Sequence, residues 1–224
     1  MVSVVQRIKE IKQPTGGYIR PGEFKITQLN DSVQLNPNEG IRADIIGMAV
    51  DYLTRFMNGS DLKDAFSISI RGACSIKQLE NAMELIGRIK GLDDESIISA
   101  CTLVGYDDCY RKGSTSPEPI GKIDPTDGTI SNIRTMVKRG VSFFDKYGPV
   151  VLDGFTFKGG YTEKVNSGDG DFITRETVWD FKVLKRDPTE NHTLQILMYY
   201  LMGLRSEHAS KFERLDNLGF LIPA

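Results

Sequence analysis

The chain has 224 residues, 40% hydrophobic and 26% charged, a balance that suits a globular protein able to bury a core without disulfide or metal staples. Lys and Arg total 28 against 30 Asp and Glu, a formal net charge of -2. That excludes a broadly basic surface and leaves any nucleic-acid contact to a local basic patch or to bound cations.

The opening MVSVVQRIKE holds no apolar h-region, so no signal peptide is expected. The longest apolar run, residues 196–204, is too short to span a bilayer. Cys74, Cys101 and Cys109 are too few for a four-thiolate iron–sulfur cluster, and their odd number suits a reducing compartment. A cytoplasmic protein is the expectation.

Residues 41–57 place Ile45, Met48, Ala49, Leu53 and Phe56 at a helical period and end at Asn58-Gly59, a C-cap signal. Further helices are expected over 75–89 and over 93–110, the latter with an acidic start that suits the helix dipole. Residues 111–128, rich in Gly, Pro, Ser and Thr, read as a long loop. Within it Gly121-Lys122 is followed by Ile123, which excludes a phosphate-binding P-loop, and residues 124–128 lack calcium-loop spacing. A helix is expected over 129–146, closed by Gly148-Pro149.

The pattern then changes to strands: 150–152 with 155–157, a turn at Lys158-Gly159-Gly160, alternation over 161–165 and 172–174, and the clearest strand over 177–184. A helix over 192–205 carries Leu194, Leu197, Met198 and Leu201 on one face, and 218–222 forms a last strand. The succession from Thr129 is helix, three strands, helix, strand. This predicts an α/β core over 129–224 and a mainly helical region over 1–128.

Residues two apart on a strand share a face. Over 177–184, Trp179, Phe181 and Val183 form an apolar face suited to a core, and Asp180 and Lys182 share the other. That pair is either a surface ion pair of little worth or a catalytic acid and cation. Upstream, GDGDFI (168–173) opens the preceding strand with Asp169 and Asp171 able to project the same way, although Gly and Asp also make turns. Downstream, Gln195 and Tyr199 are neighbours at i, i+4.

In order, G-x-x-D (Gly168 to Asp171), D-x-K (Asp180 to Lys182) and Q-x-x-x-Y (Gln195 to Tyr199) resemble the PD-(D/E)xK nuclease superfamily, in particular its RecB-type and phage exonuclease-like members. The resemblance covers about residues 129–222. It implies a restriction-endonuclease-like core with a mixed sheet, and a deoxyribonuclease, an exonuclease of phage or recombination-repair type. It implies Asp171 and Asp180 as hard oxygen ligands of Mg2+ or Mn2+. Lys182 would orient or help deprotonate the attacking water and stabilise developing negative charge. Gln195 and Tyr199 would support the site.

The family's upstream G-x-x-x-H pattern is matched by Gly47 to Asp51 with aspartate in the histidine's place, so Asp51 is the candidate additional metal ligand and Glu39 its rival. Iron–sulfur members carry four cysteines, so no cluster is expected. The implied partners are DNA and a recombinase or single-strand annealing protein, with no membrane. Two alternatives stand beside this: a catalytically silent DNA-binding or scaffolding protein, and a metal-dependent phosphatase built on clustered acids. Lys185, Arg186 and His192 are candidates for a basic rim, His192 having a helix-capping role as its alternative.

Overall fold

The structure is a computed structural model that describes residues 2–29, 31–111, 113, 123–184 and 186–224. In chain order its elements are α1 (Val4–Ile8), α2 (Ala43–Met57), α3 (Leu62–Ala65), α4 (Ser67–Ser75), α5 (Leu79–Arg88), α6 (Asp94–Val104), α7 (Asp107–Arg111), α8 (Asp127–Tyr147), β1 (Leu152–Thr156), β2 (Asp169–Ile173), β3 (Thr177–Phe181), α9 (Glu190–Gly203), α10 (Ala209–Phe212) and β4 (Asn217–Leu221). The chain is α/β with one mixed sheet of order β1-β2-β3-β4. The pairs β1–β2 and β2–β3 are antiparallel; β3–β4 is parallel and is reached through α9 and α10, the crossover that a parallel pair requires. The succession expected after residue 129 is present, with α10 added before β4. No helix among the described residues is long and apolar enough to cross a membrane.

Several elements differ from expectation; the single helix expected over 93–110, for one, is split into α6 and α7. Residues 161–165 alternate in sequence yet form a turn, because the Thr162 hydroxyl accepts the Lys164 and Val165 N–H groups at 3.3 and 3.2 Å. The helix expected over 75–89 starts at Leu79; α4 has already ended at Ser75, and Lys77 takes a positive φ of 62° between the two. The strand expected over 177–184 stops at Phe181. Most of the loop expected over 111–128, Gly121 and Lys122 included, lies outside the described residues.

Two compact units arise: Met1–Leu29 with Phe143–Ile222, and Asn30–Ser142 with Pro223–Ala224. The division therefore falls elsewhere than between residues 128 and 129. The N-terminal segment belongs with the sheet: Val4 and Ile8 of α1 are buried in one cluster with Ile173, Val178, Leu194 and Tyr199. This five-residue helix is held by a capping box, in which Ser3 and Gln6 each accept the other's backbone N–H.

In the first unit the two central strands are covered on both faces. Phe172 and Trp179, directly opposite on β2 and β3, stack at 6.2 Å, and the last turn of α8 packs on them through Phe143 and Phe144. The alternate residues Ile173 and Val178, also directly opposite, are fully buried in the cluster that contains α9.

In the second unit α2 buries Ile45, Ile46, Ala49, Val50 and Leu53. A Cβ on Gly72 of α4 would lie 2.0 Å from the Tyr106 carbonyl oxygen, so only glycine permits that approach. Asp107 is fully buried there. Burial raises its pKa, and the Tyr52 hydroxyl (2.6 Å) and the Ser69 hydroxyl donate to its carboxylate.

Phe157 is fully buried against Phe155, Tyr199 and Phe212. Phe157→Ala should cost about 3–5 kcal/mol of stability. Urea unfolding followed by the fluorescence of Trp179, the single tryptophan, measures it. A loss below about 1 kcal/mol would mean that this cluster is not the core of the unit.

Candidate active site

The β2–β3 ladder is short, with Phe172 opposite Trp179 and Ile173 opposite Val178. One step further, the same register sets Asp171 opposite Asp180. Like charges directly opposite destabilise a strand pair. At that point a side chain replaces the ladder: Asp171 Oδ2 accepts the Phe181 N–H at 2.6 Å. β3 meanwhile stays on β4, with Asp180 opposite Phe220, and Lys182 N–H continues the ladder to the Leu221 carbonyl at 2.9 Å. The strand thus parts from β2 while held by β4, and the two carboxylates stand where it parts.

Asp180 is 1% exposed, which corrects the assignment of the strand's apolar face alone to the core. Val178 and Asp180 share a face, and that face is buried as well. The pair with Lys182 is accordingly not a surface ion pair. Lys182 Nζ lies 3.0 Å from Asp180 Oδ1 in hydrogen-bond geometry and 3.0 Å from Oδ2, yet Oδ2 has no hydrogen-bond partner. Burial pushes the Asp180 carboxyl up to about 7; the Lys182 ammonium pulls it down, and the charge of Asp171 pushes it up again.

Helix α9 supplies the remaining wall. Gln195 Nε2 donates to the Tyr199 hydroxyl at 2.8 Å, and both side chains are buried. Burial first, then the charges of Asp180 and Asp171, raises the Tyr199 pKa well above that of a free phenol. One turn earlier, His192 Nδ1 lies 2.9 Å from the Thr189 N–H, so the expected capping role is present. Burial and then the Lys182 charge hold its pKa below the ordinary imidazole value.

One unit therefore brings together Asp171, Asp180, Lys182, Gln195 and Tyr199. Asp51 is half-buried in the middle of α2 and Glu39 half-buried on the segment before it; both belong to the second unit. Arg186 is exposed after β3, and Lys185 lies outside the described residues. Among the described residues no group of three or more His, Cys, Asp or Glu side chains could hold a metal ion. The donor set of two carboxylates, Asp171 and Asp180, still fits a divalent cation of the magnesium type, which is often held by one or two carboxylates with waters and substrate phosphates.

Comparison of the chain with protein families, with curated proteins and with solved structures finds no match.

The raised Asp180 pKa has a definite sign in the metal-free protein. The folded state keeps this proton to higher pH than the unfolded chain, whose carboxyl titrates near 3.8. Its contribution is fully present below that value and is lost as pH rises through about 7. Asp180→Asn cannot ionise and should escape the loss. In EDTA the variant should tolerate more urea than wild type at about pH 8, and the gap should close below about pH 4. A wild-type stability that rises relative to the variant across that window would contradict the assignment.

Proposed function

We propose that the chain is a divalent-metal-dependent deoxyribonuclease of the PD-(D/E)xK superfamily, RecB-type or phage exonuclease-like, and that its four-stranded sheet is a restriction-endonuclease-like core. One observation carries the proposal: a fully buried Asp180 opposite Asp171, with a single Lys182 ammonium 3.0 Å from each of its two carboxylate oxygens. Two carboxylates crowded at a buried position with one lysine between them leave a negative charge uncompensated when both ionise, which supports a cation site.

Asp171 and Asp180 would hold Mg2+ or Mn2+. Such a cation supplies Lewis-acid stabilisation of charge on a phosphoryl group and activates water at neutral pH. The residues do the rest. The Phe181 N–H fixes the Asp171 carboxylate in place. Lys182 is anchored on Asp180 but 22% exposed, so its ammonium is positioned to orient the attacking water and to stabilise negative charge on the phosphodiester. Gln195 donates to the Tyr199 oxygen, leaving the tyrosine's own proton as a donor beside the carboxylates. A recombinase or single-strand annealing protein is the partner that would take up the strand exposed by such an enzyme.

With a net charge of -2 the chain offers little of the counterion release that holds non-specific duplex. Cleavage should therefore need an end: with Mg2+, linear DNA is degraded and covalently closed circles survive. Lys182→Ala should lower kcat by roughly 10²–10³-fold with metal affinity kept, because it acts on the transition state. Mn2+ binding followed by calorimetry should disappear in Asp180→Ala. Wild-type turnover in Lys182→Ala, or unchanged Mn2+ binding in Asp180→Ala, would remove the respective role. Equally rapid nicking of closed circles would make the enzyme an endonuclease.

A further inference from the structure

We infer that Gly154 marks the side from which the substrate reaches this site, its missing side chain leaving the flank of Asp171 open to the sugar–phosphate backbone of a DNA strand. The inference rests on the nuclease proposal above and adds to it a direction of approach.

The placement follows from strand register. β1 pairs with β2 as Asp153 with Phe172 and Phe155 with Gly170, the same offset on both sides of Gly154, so Gly154 stands level with Asp171. The β2–β3 register sets Asp171 level with Asp180, and Asp180 in turn is paired with Phe220. Gly154, Asp171, Asp180 and Phe220 thus form one row across the four strands. Residues directly opposite on paired strands share a face. The row is closed at one end and open at the other. At β4, Phe220 packs on the cluster that holds α9 and against Phe24, with ring centroids 5.0 Å apart. Asp180 is buried, Asp171 is half-buried, and Gly154 is exposed on the edge strand. One step further along the same face, Thr156 stands opposite Asp169, and both are exposed. A strand arriving from the β1 side therefore meets Asp171 first.

Elsewhere in the sheet the protein itself fills the space that glycine leaves. A Cβ on Gly170 of β2 would lie 2.3 Å from the Phe155 ring, and one on Gly219 of β4 would lie 2.4 Å from the Trp179 ring. Gly154 differs: it faces solvent, and its φ of 52° lies in the left-handed region. Glycine inside a strand often marks the close approach of a ligand or another backbone. Directly opposite side chains start about 5 Å apart, so one at position 154 would crowd Asp171, in the space a phosphodiester needs to reach a cation held by Asp171 and Asp180. Asp169 makes the same flank acidic, so the cation has to be in place before the phosphodiester settles there.

Two substitutions test this. Asparagine adopts positive φ more readily than most residues with a side chain, so Gly154→Asn should melt close to wild type. With linear DNA and Mg2+, its KM should rise about 10- to 100-fold with kcat nearly unchanged, the effect of a steric intrusion on binding. Mn2+ binding by calorimetry should match wild type, because both carboxylates are untouched. Thr156→Trp makes no demand on φ and intrudes on the same flank, so its KM should rise as well. Wild-type KM in Gly154→Asn, or in Thr156→Trp where Gly154→Asn does not fold, overturns the inference and leaves the nuclease proposal standing. A lower kcat with weakened Mn2+ binding in Gly154→Asn overturns it too, since Gly154 would then serve to shape Asp171. A wild type inert on every DNA tested overturns both.

Discussion

Two like-charged carboxylates facing each other at the end of a strand ladder impose the constraint to which the surrounding structure answers. Asp171 and Asp180 cannot both ionise in a buried space without compensation. Lys182 compensates one of them, and its ammonium stays close enough to water to remain charged. Burial above all, and then the charge of Asp171 working against the pull of Lys182, holds the Asp180 pKa high, which expresses the repulsion that remains. Either a proton or a cation relieves it, and the two compete for the same oxygen.

The neighbouring elements fix this arrangement by gripping β3 from three sides. β4 continues its ladder past Phe181, so the strand does not fray where β2 leaves it. On one face Trp179 is set edge-on to Phe143 at 4.7 Å and stacked on Phe172. On the other, Val178 sits in the cluster that holds Leu194, Ile196 and Tyr199 of α9. The alternate residue on that buried face is Asp180, which leaves its carboxylate little rotational freedom. Functional groups carried on locked strands and helices hold tighter geometry than groups on loops. α9 is in turn packed against α1 and tied to the N-terminal segment, where the Thr193 hydroxyl donates to the Ile19 carbonyl at 2.7 Å.

The sequence carried the element order after residue 129 because apolar period and turn residues agree there. It also carried the spacing of Asp180, Lys182, Gln195 and Tyr199, since strand and helix periods alone align those residues. It did not carry the depth of Asp180. Alternation assigns a polar residue to the outer face, and only packing by α9 makes both faces of β3 interior. The opposition of Asp171 and Asp180 was hidden likewise, since it follows from a register that nothing local to either strand encodes. Residues 161–165 misled because a Thr side chain competes for backbone N–H groups that a strand would otherwise use. The placement of α1 with the sheet is a tertiary effect, invisible in a five-residue helix. Asp107 went unremarked because its partners Tyr52 and Ser69 are distant in sequence and only the fold brings them together.

The site's charge also bears on how an acidic chain could hold an anionic polymer. With both carboxylates ionised and Lys182 charged, the cluster carries one net negative charge and repels phosphate. A divalent cation bound to the pair reverses that sign, in a buried setting where screening by salt is weak. On the nuclease proposal, metal and DNA are then coupled ligands. Each raises the affinity for the other by the same factor, since linkage is reciprocal for binding free energies. An overall charge of -2 and a phosphodiester substrate are thus compatible, the attraction residing in the loaded site and not in the protein surface.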